Sequence, residues 1–145
     1  MLDRVRPIAL LVARIAIGVI FSVHGWQKFT TMGLDGTTAF FDSAGIPLAG
    51  VAAPVVAVLE LIGGIALVLG AALPVAGTLL ALDMVGAIVF VHGANGFAAD
   101  KGGYEFVLAL AAGSLAIAFS GGGALAVDSL WQRRRVSAPV SASVG

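Results

Sequence analysis

Cysteine is absent from all 145 residues, so the chain forms no disulfide and supplies neither a thiol nucleophile nor a cysteine-ligated metal. Any thiol chemistry it takes part in belongs to a partner. Charge is scarce too: Asp, Glu, Lys and Arg make up 11% of the residues, against about 25% in soluble domains. Neither sign is in excess, because eight basic residues offset eight acidic ones. The basic residues gather toward the two ends and form no stripe, so nucleic acid is not an expected partner. No G-x-G-x-x-G string occurs, which argues against a dinucleotide site. The two histidines are too few and too near span ends for paired haem ligation across a bundle.

What is present is apolar. Hydrophobic residues make up 59%, above the usual ~45–50%, and the mean hydropathy is +1.05. Crossing the hydrocarbon takes about 20 mostly apolar residues per helix. The chain accommodates four such runs: from Pro7 to Thr30, Ala49 to Ala71, Val75 to Gly93, and Tyr104 to Ser120, the last short enough that it could extend toward Asp128. The expected fold is all-α, a polytopic membrane protein built as a four-transmembrane-helix bundle. One domain covers residues 1–131, and residues 132–145, opening on Arg133, Arg134 and Arg135, read as a disordered tail. Arg4 and Arg6 ahead of an apolar run give the start a leader-like look, but the run exceeds the ~7–15 residues of a signal core. It ends in His24-Gly25-Trp26-Gln27-Lys28 instead of a small-x-small exit, so a retained helix is expected.

Lys and Arg at the two ends place both termini in the cytoplasm by the positive-inside rule, which fits an even number of crossings of a cell (plasma or inner) membrane. Thr31 to Leu48 and Ala94 to Gly103 then form outward polar loops, with Phe40 and Phe41 drawing part of the first back to the interface. Glycine contributes 20 residues, about twice its ordinary ~7%, and much of it lies inside spans, where small residues let helices pack closely in lipid. A weak internal repeat pairs Gly18 through His24-Gly25 with Gly86 through His92-Gly93.

Arg14, Glu60 and Asp83 lie deep inside three of the spans. Charge at membrane depth is costly and is rarely kept without a partner or a job. Arg14 shares a helix face with Gly18, Phe21, Gly25 and Lys28, which points one polar stripe into the bundle. The expected arrangement is an intramembrane ion network of Arg14, Glu60 and Asp83. It either fixes helix register or relays protons, because one guanidinium cannot neutralise two carboxylates.

A second cluster gathers His24, Lys28, His92 and Glu105 near the outer span ends. These residues read either as helix caps and interface anchors, with Lys28 snorkelling to headgroups, or as a shallow substrate site for a quinone headgroup or small anion. Two His and one Glu match no recognised zinc spacing, so no metal site is expected.

Taken in order, Arg14 with Gly18 and Phe21, His24-Gly25 with Lys28, Phe40 through Gly45-Ile46-Pro47, Glu60-Leu61-Ile62-Gly63-Gly64, Leu69-Gly70, Met84 with Ala87, Gly96-Phe97, Gly103 with Glu105, and a glycine-rich end before Asp128 resemble the DoxX family of small four-helix membrane proteins. The resemblance covers about residues 8–130, with Asp83 and the approach to Asp128 departing from the pattern. It implies an integral membrane subunit of a redox assembly, quinone- or thiol-linked and related to oxidative stress. Any oxidoreductase activity would depend on a partner protein. No intrinsic cofactor is expected, and the electron carrier would be a quinone or a partner's group. A small proton or solute transporter or channel component, and a structural scaffold, remain as alternatives. Self-association through glycine-rich faces is compatible with either.

Overall fold

A computed structural model of the chain describes residues 2–129. The tail expected at residues 132–145 lies outside them. The elements are α1 (Leu2–Thr30), α2 (Gly33–Ser43), α3 (Ala49–Leu69), α4 (Leu73–Ala87) and α5 (Glu105–Ser120), with no strand among the described residues. Beyond α4 the chain stays helical through a π-helical turn, Ile88–His92, and a 3-10 turn, Gly93–Asn95. Val5–Thr30, Ala49–Leu69 and Leu73–Asn95 are each long and apolar enough to cross a membrane. At 16 residues α5 is shorter, about 24 Å at 1.5 Å per residue. It does not extend toward Asp128: Gly121, at φ 83° and ψ 164°, breaks it.

The bundle inverts the soluble pattern. Val12, Ile15, Val19 and Val23 on α1, and Val51, Val55, Val58 and Ile62 on α3, lie on the outside, as lipid-facing side chains should. The small and polar residues turn inward, and the stripe expected on α1 is there: Arg14, Gly18, Phe21 and Gly25 are all buried. Antiparallel α1 and α3 touch backbone to backbone. A Cβ on Gly25 would stand 2.4 Å from the amide nitrogen of Leu61, and one on Gly64 2.6 Å from the carbonyl oxygen of Gly18. Only glycine permits that approach, and dispersion over the close contact holds the pair where no hydrophobic force acts between helices. A core of Phe21, Leu67, Leu73, Leu80, Met84, Leu110 and Ile117 fills the space between α1, α3, α4 and α5.

The residues expected as a polar outer loop contain a helix. Within α2, Thr37 and Phe41 are buried, Phe41 against Ala49 and Ala53 of α3. The Thr37 hydroxyl bonds the carbonyls of Gly33 at 2.9 Å and Lys28 at 3.3 Å, tying α2 to the end of α1. Glycine content hid this helix, but one turn of Phe40-Phe41 on an otherwise polar segment is what lets it bury a face.

At the opposite end the chain after α5 folds back over the bundle. The Asp128 carboxylate accepts hydrogen bonds from the amides of Ala72 and Leu73, each at 2.9 Å. It thereby satisfies donors at the start of α4 that no intrahelical carbonyl can reach.

Candidate functional site

Arg14 is 1% exposed, yet among the described residues it pairs with no carboxylate. Its Nη1 donates to the carbonyls of Leu67 (3.3 Å) and Val68 (2.7 Å), and its Nη2 to that of Ala124 (2.9 Å). The last turn of a helix leaves carbonyls without intrahelical donors, and the guanidinium serves those of α3 while gripping the returning chain. The expected network of Arg14, Glu60 and Asp83 is therefore not the one formed. Register decides this: in the antiparallel pair Arg14 lies level with Leu67 and Val68, about two turns from Glu60.

The counter-ion of Glu60 is Lys28. The Lys28 ammonium donates directly to Glu60 Oε2, and the two side chains are only 15% and 6% exposed. Lys28 sits in the last turn of α1, but its flexible stem runs inward along the bundle and not out to headgroups. Asp83, from the middle of the third span, lines the same cavity as this pair. Its Oδ2 is fully covered and meets no donor among the described residues.

These three groups line one end of a cavity of about 680 Å³, within the ~300–1,000 Å³ usual for small-molecule sites. Phe21 and His24 of α1, Phe40 and Phe41 of α2, Val56 of α3, Met84, Gly86 and Ala87 of α4, and Phe106 and Leu110 of α5 form its walls. Phe90, Val91 and His92 from the π-helical turn complete them. The two clusters that seem separate along the sequence thus share one space, lined by His24, Lys28, His92, Glu60 and Asp83 together, with His24 level with Glu60 in the register of α1 and α3.

The π-helical turn re-aims this last stretch. The Gly93 amide donates to the Ile88 carbonyl five residues back, and a Cβ on Gly93 would stand 2.6 Å from that oxygen, so glycine is what admits the wider turn. Such turns are frequent at functional positions. His92 Nδ1 meets the Gly102 carbonyl at 2.8 Å; a carbonyl only accepts, so Nδ1 carries hydrogen and, in a neutral ring, Nε2 is left as an acceptor. Asn95 also donates to Gly102, at 3.2 Å.

Glu105 does not join the cavity. Its Oε2 accepts from the Ala99 amide at 3.1 Å, and it steadies the loop before α5 together with the edge-on contact of Phe97 and Tyr104. The residues that sequence reasoning missed are the aromatic walls. Phe40-Phe41 carried a signal, being two large rings in a polar stretch; Phe90 and Phe106 carried none, because any apolar span contains such residues.

The DoxX family model matches residues 9–93. A Bacillus subtilis protein named "Putative oxidoreductase CatD" is 38% identical over 135 residues, which cover 93% of this chain and 96% of the relative. Escherichia coli proteins named "Inner membrane protein YphA" and "Inner membrane protein YqjF" are 32% and 30% identical, over 85% and 92% of this chain and 90% and 99% of their own lengths. No solved structure gives a significant match.

Proposed function

We propose, on the premise that this chain belongs to the DoxX family, that it is the membrane subunit of a redox assembly and that its cavity receives a quinone headgroup. The chain is a multi-pass membrane protein with nearly full-length relatives named as inner membrane proteins, and one similar protein carries an oxidoreductase name. The observation that carries the finer reading is the cavity's mixed lining of aromatic rings and a few polar side chains. Rings of Phe21, Phe41, Phe90 and Phe106 would flank a flat, apolar ring, while Lys28, His24 and His92 offer hydrogen-bonding atoms to ring oxygens.

No redox group is encoded by a motif of this sequence, so the electrons would come from a partner protein carrying a flavin or haem. The chain's own residues would do the rest: hold the ring, exclude water and present hydrogen-bonding groups at the oxygens. The test is mass spectrometry of lipids retained by gently extracted protein. A quinone should accompany the wild type and be depleted with His24→Ala. It should remain with Glu105→Gln, because the Glu105 side chain does not line the cavity. Recovery of bulk phospholipid alone from the wild type would refute the reading.

A further inference from the structure

Three charged side chains from three helices meet at one point at membrane depth: Lys28 from α1, Glu60 from α3 and Asp83 from α4. One ammonium balances one carboxylate. The remaining cation inside the bundle, Arg14, is held by three carbonyls at the far end. Among the described residues the other titratable side chains lining the cavity are His24 and His92, while α5 contributes apolar side chains, Phe106, Val107 and Leu110. Asp83 Oδ2 is covered, lacks a donor and stands beside the Glu60 carboxyl. A second full negative charge there would have one oxygen shut off from solvent and would share a single ammonium with Glu60, an arrangement that burial disfavours. Two adjoining carboxyl groups resolve it by holding a proton in common, and such a pair titrates as a unit.

We propose that Glu60 and Asp83 hold one proton between them against Lys28, and that this proton is exchanged with an oxygen of the ring bound in the cavity. The choice of ring rests on the quinone reading above. Reduction of a quinone to a quinol takes two electrons and two protons. The electrons come from the partner's reduced flavin or haem. As the ring oxygen becomes basic, the carboxyl O–H bond breaks and a ring O–H bond forms, leaving two carboxylates beside Lys28. A proton entering through the cavity refills the pair, and a second by the same route completes the quinol. Oxidation runs these steps backward.

Infrared spectroscopy of the full chain in lipid nanodiscs tests this, because a protonated carboxyl has a C=O stretch that a carboxylate lacks. The wild type at neutral pH should show this band with the intensity of one group. Asp83→Asn, which keeps size and shape, should remove it. Lys28→Met, which withdraws the balancing cation, should raise it about two-fold. Time-resolved infrared absorption after rapid reduction of protein-bound decylubiquinone should show the band bleach transiently in the wild type and recover as the pair refills. No such band in the wild type, or a band that survives in both Asp83→Asn and Glu60→Gln, would overturn the shared proton. A band that shows no transient loss as bound quinone is reduced would overturn the exchange. Equilibrium dialysis of decylubiquinone separates the two readings: if none binds, the quinone assignment and the exchange built on it fall, while the static band and its response to Asp83→Asn still decide the shared proton.

Discussion

At the scale of single residues, the arrangement turns on which partner each buried charge finds. Lys28 and Glu60 are paired within the bundle, and removing one member of such a pair strands the other. Lys28→Ala should therefore destabilise the folded protein by about 3–5 kcal/mol, whereas replacing both with Met and Leu should cost far less or nothing. Thermal unfolding of the two variants in matched detergent checks this; equal losses would show that the pair is not coupled. Arg14 makes a contrasting case, since its partners are backbone carbonyls. Arg14→Lys keeps the charge but loses the planar fork that reaches the carbonyls of α3 and of Ala124 together. Limited proteolysis near residue 124 should accelerate several-fold in that variant, and unchanged cutting would refute the tie. Helical periodicity in the sequence puts Arg14 and Lys28 on one stripe of α1, the stripe on which Arg14 is buried. It could not fix pairing, which depends on antiparallel register and on how far a lysine stem reaches.

Among the elements, glycine separates contact from open space. Gly25 on α1 lies against the Leu61 backbone, whereas a Cβ on Gly50 at the start of α3 would meet nothing within 4 Å. Gly25→Ala should thus cost about 1–3 kcal/mol through forced separation of α1 and α3, while Gly50→Ala should be neutral or slightly stabilising. The difference in melting temperature between the two variants is the measurement, and equal values would contradict the close approach. The helices α1, α3, α4 and α5 were legible from apolar run length, except that α1 begins at Leu2 and carries Pro7 inside it instead of starting there. The helix α2 was not, because Gly33 and Gly36 read as loop residues and its burial depends on a tertiary contact of Phe41 with α3. The π-helical turn was equally hidden: its sequence, Ile88 through His92, is an ordinary apolar run, and only the Gly93 contact with Ile88 marks it.

For the whole molecule, the family and the membrane setting were readable from composition and from the order of motifs, while the site was readable only in pieces. His24, Lys28, His92, Glu60 and Asp83 were picked out as two groups because they lie at different positions along their helices, and the fold joins them through one space that no linear spacing encodes. We propose, with the positive-inside rule, that both termini face the cytoplasm; a reporter fused to the C-terminus should be active only if it is cytoplasmic, and activity of a reporter that requires export would reverse the assignment. The central claim is that the cavity itself is a ligand site. Gly86 lines it, and a Cβ there would meet nothing within 4 Å, so a larger side chain can occupy that space without displacing the helices. The most direct measurement is decylubiquinone binding to the wild type and to Gly86→Leu, both shown to melt alike: the filled variant should bind at least ~10-fold more weakly, about 1.4 kcal/mol, and equal affinity would contradict the account.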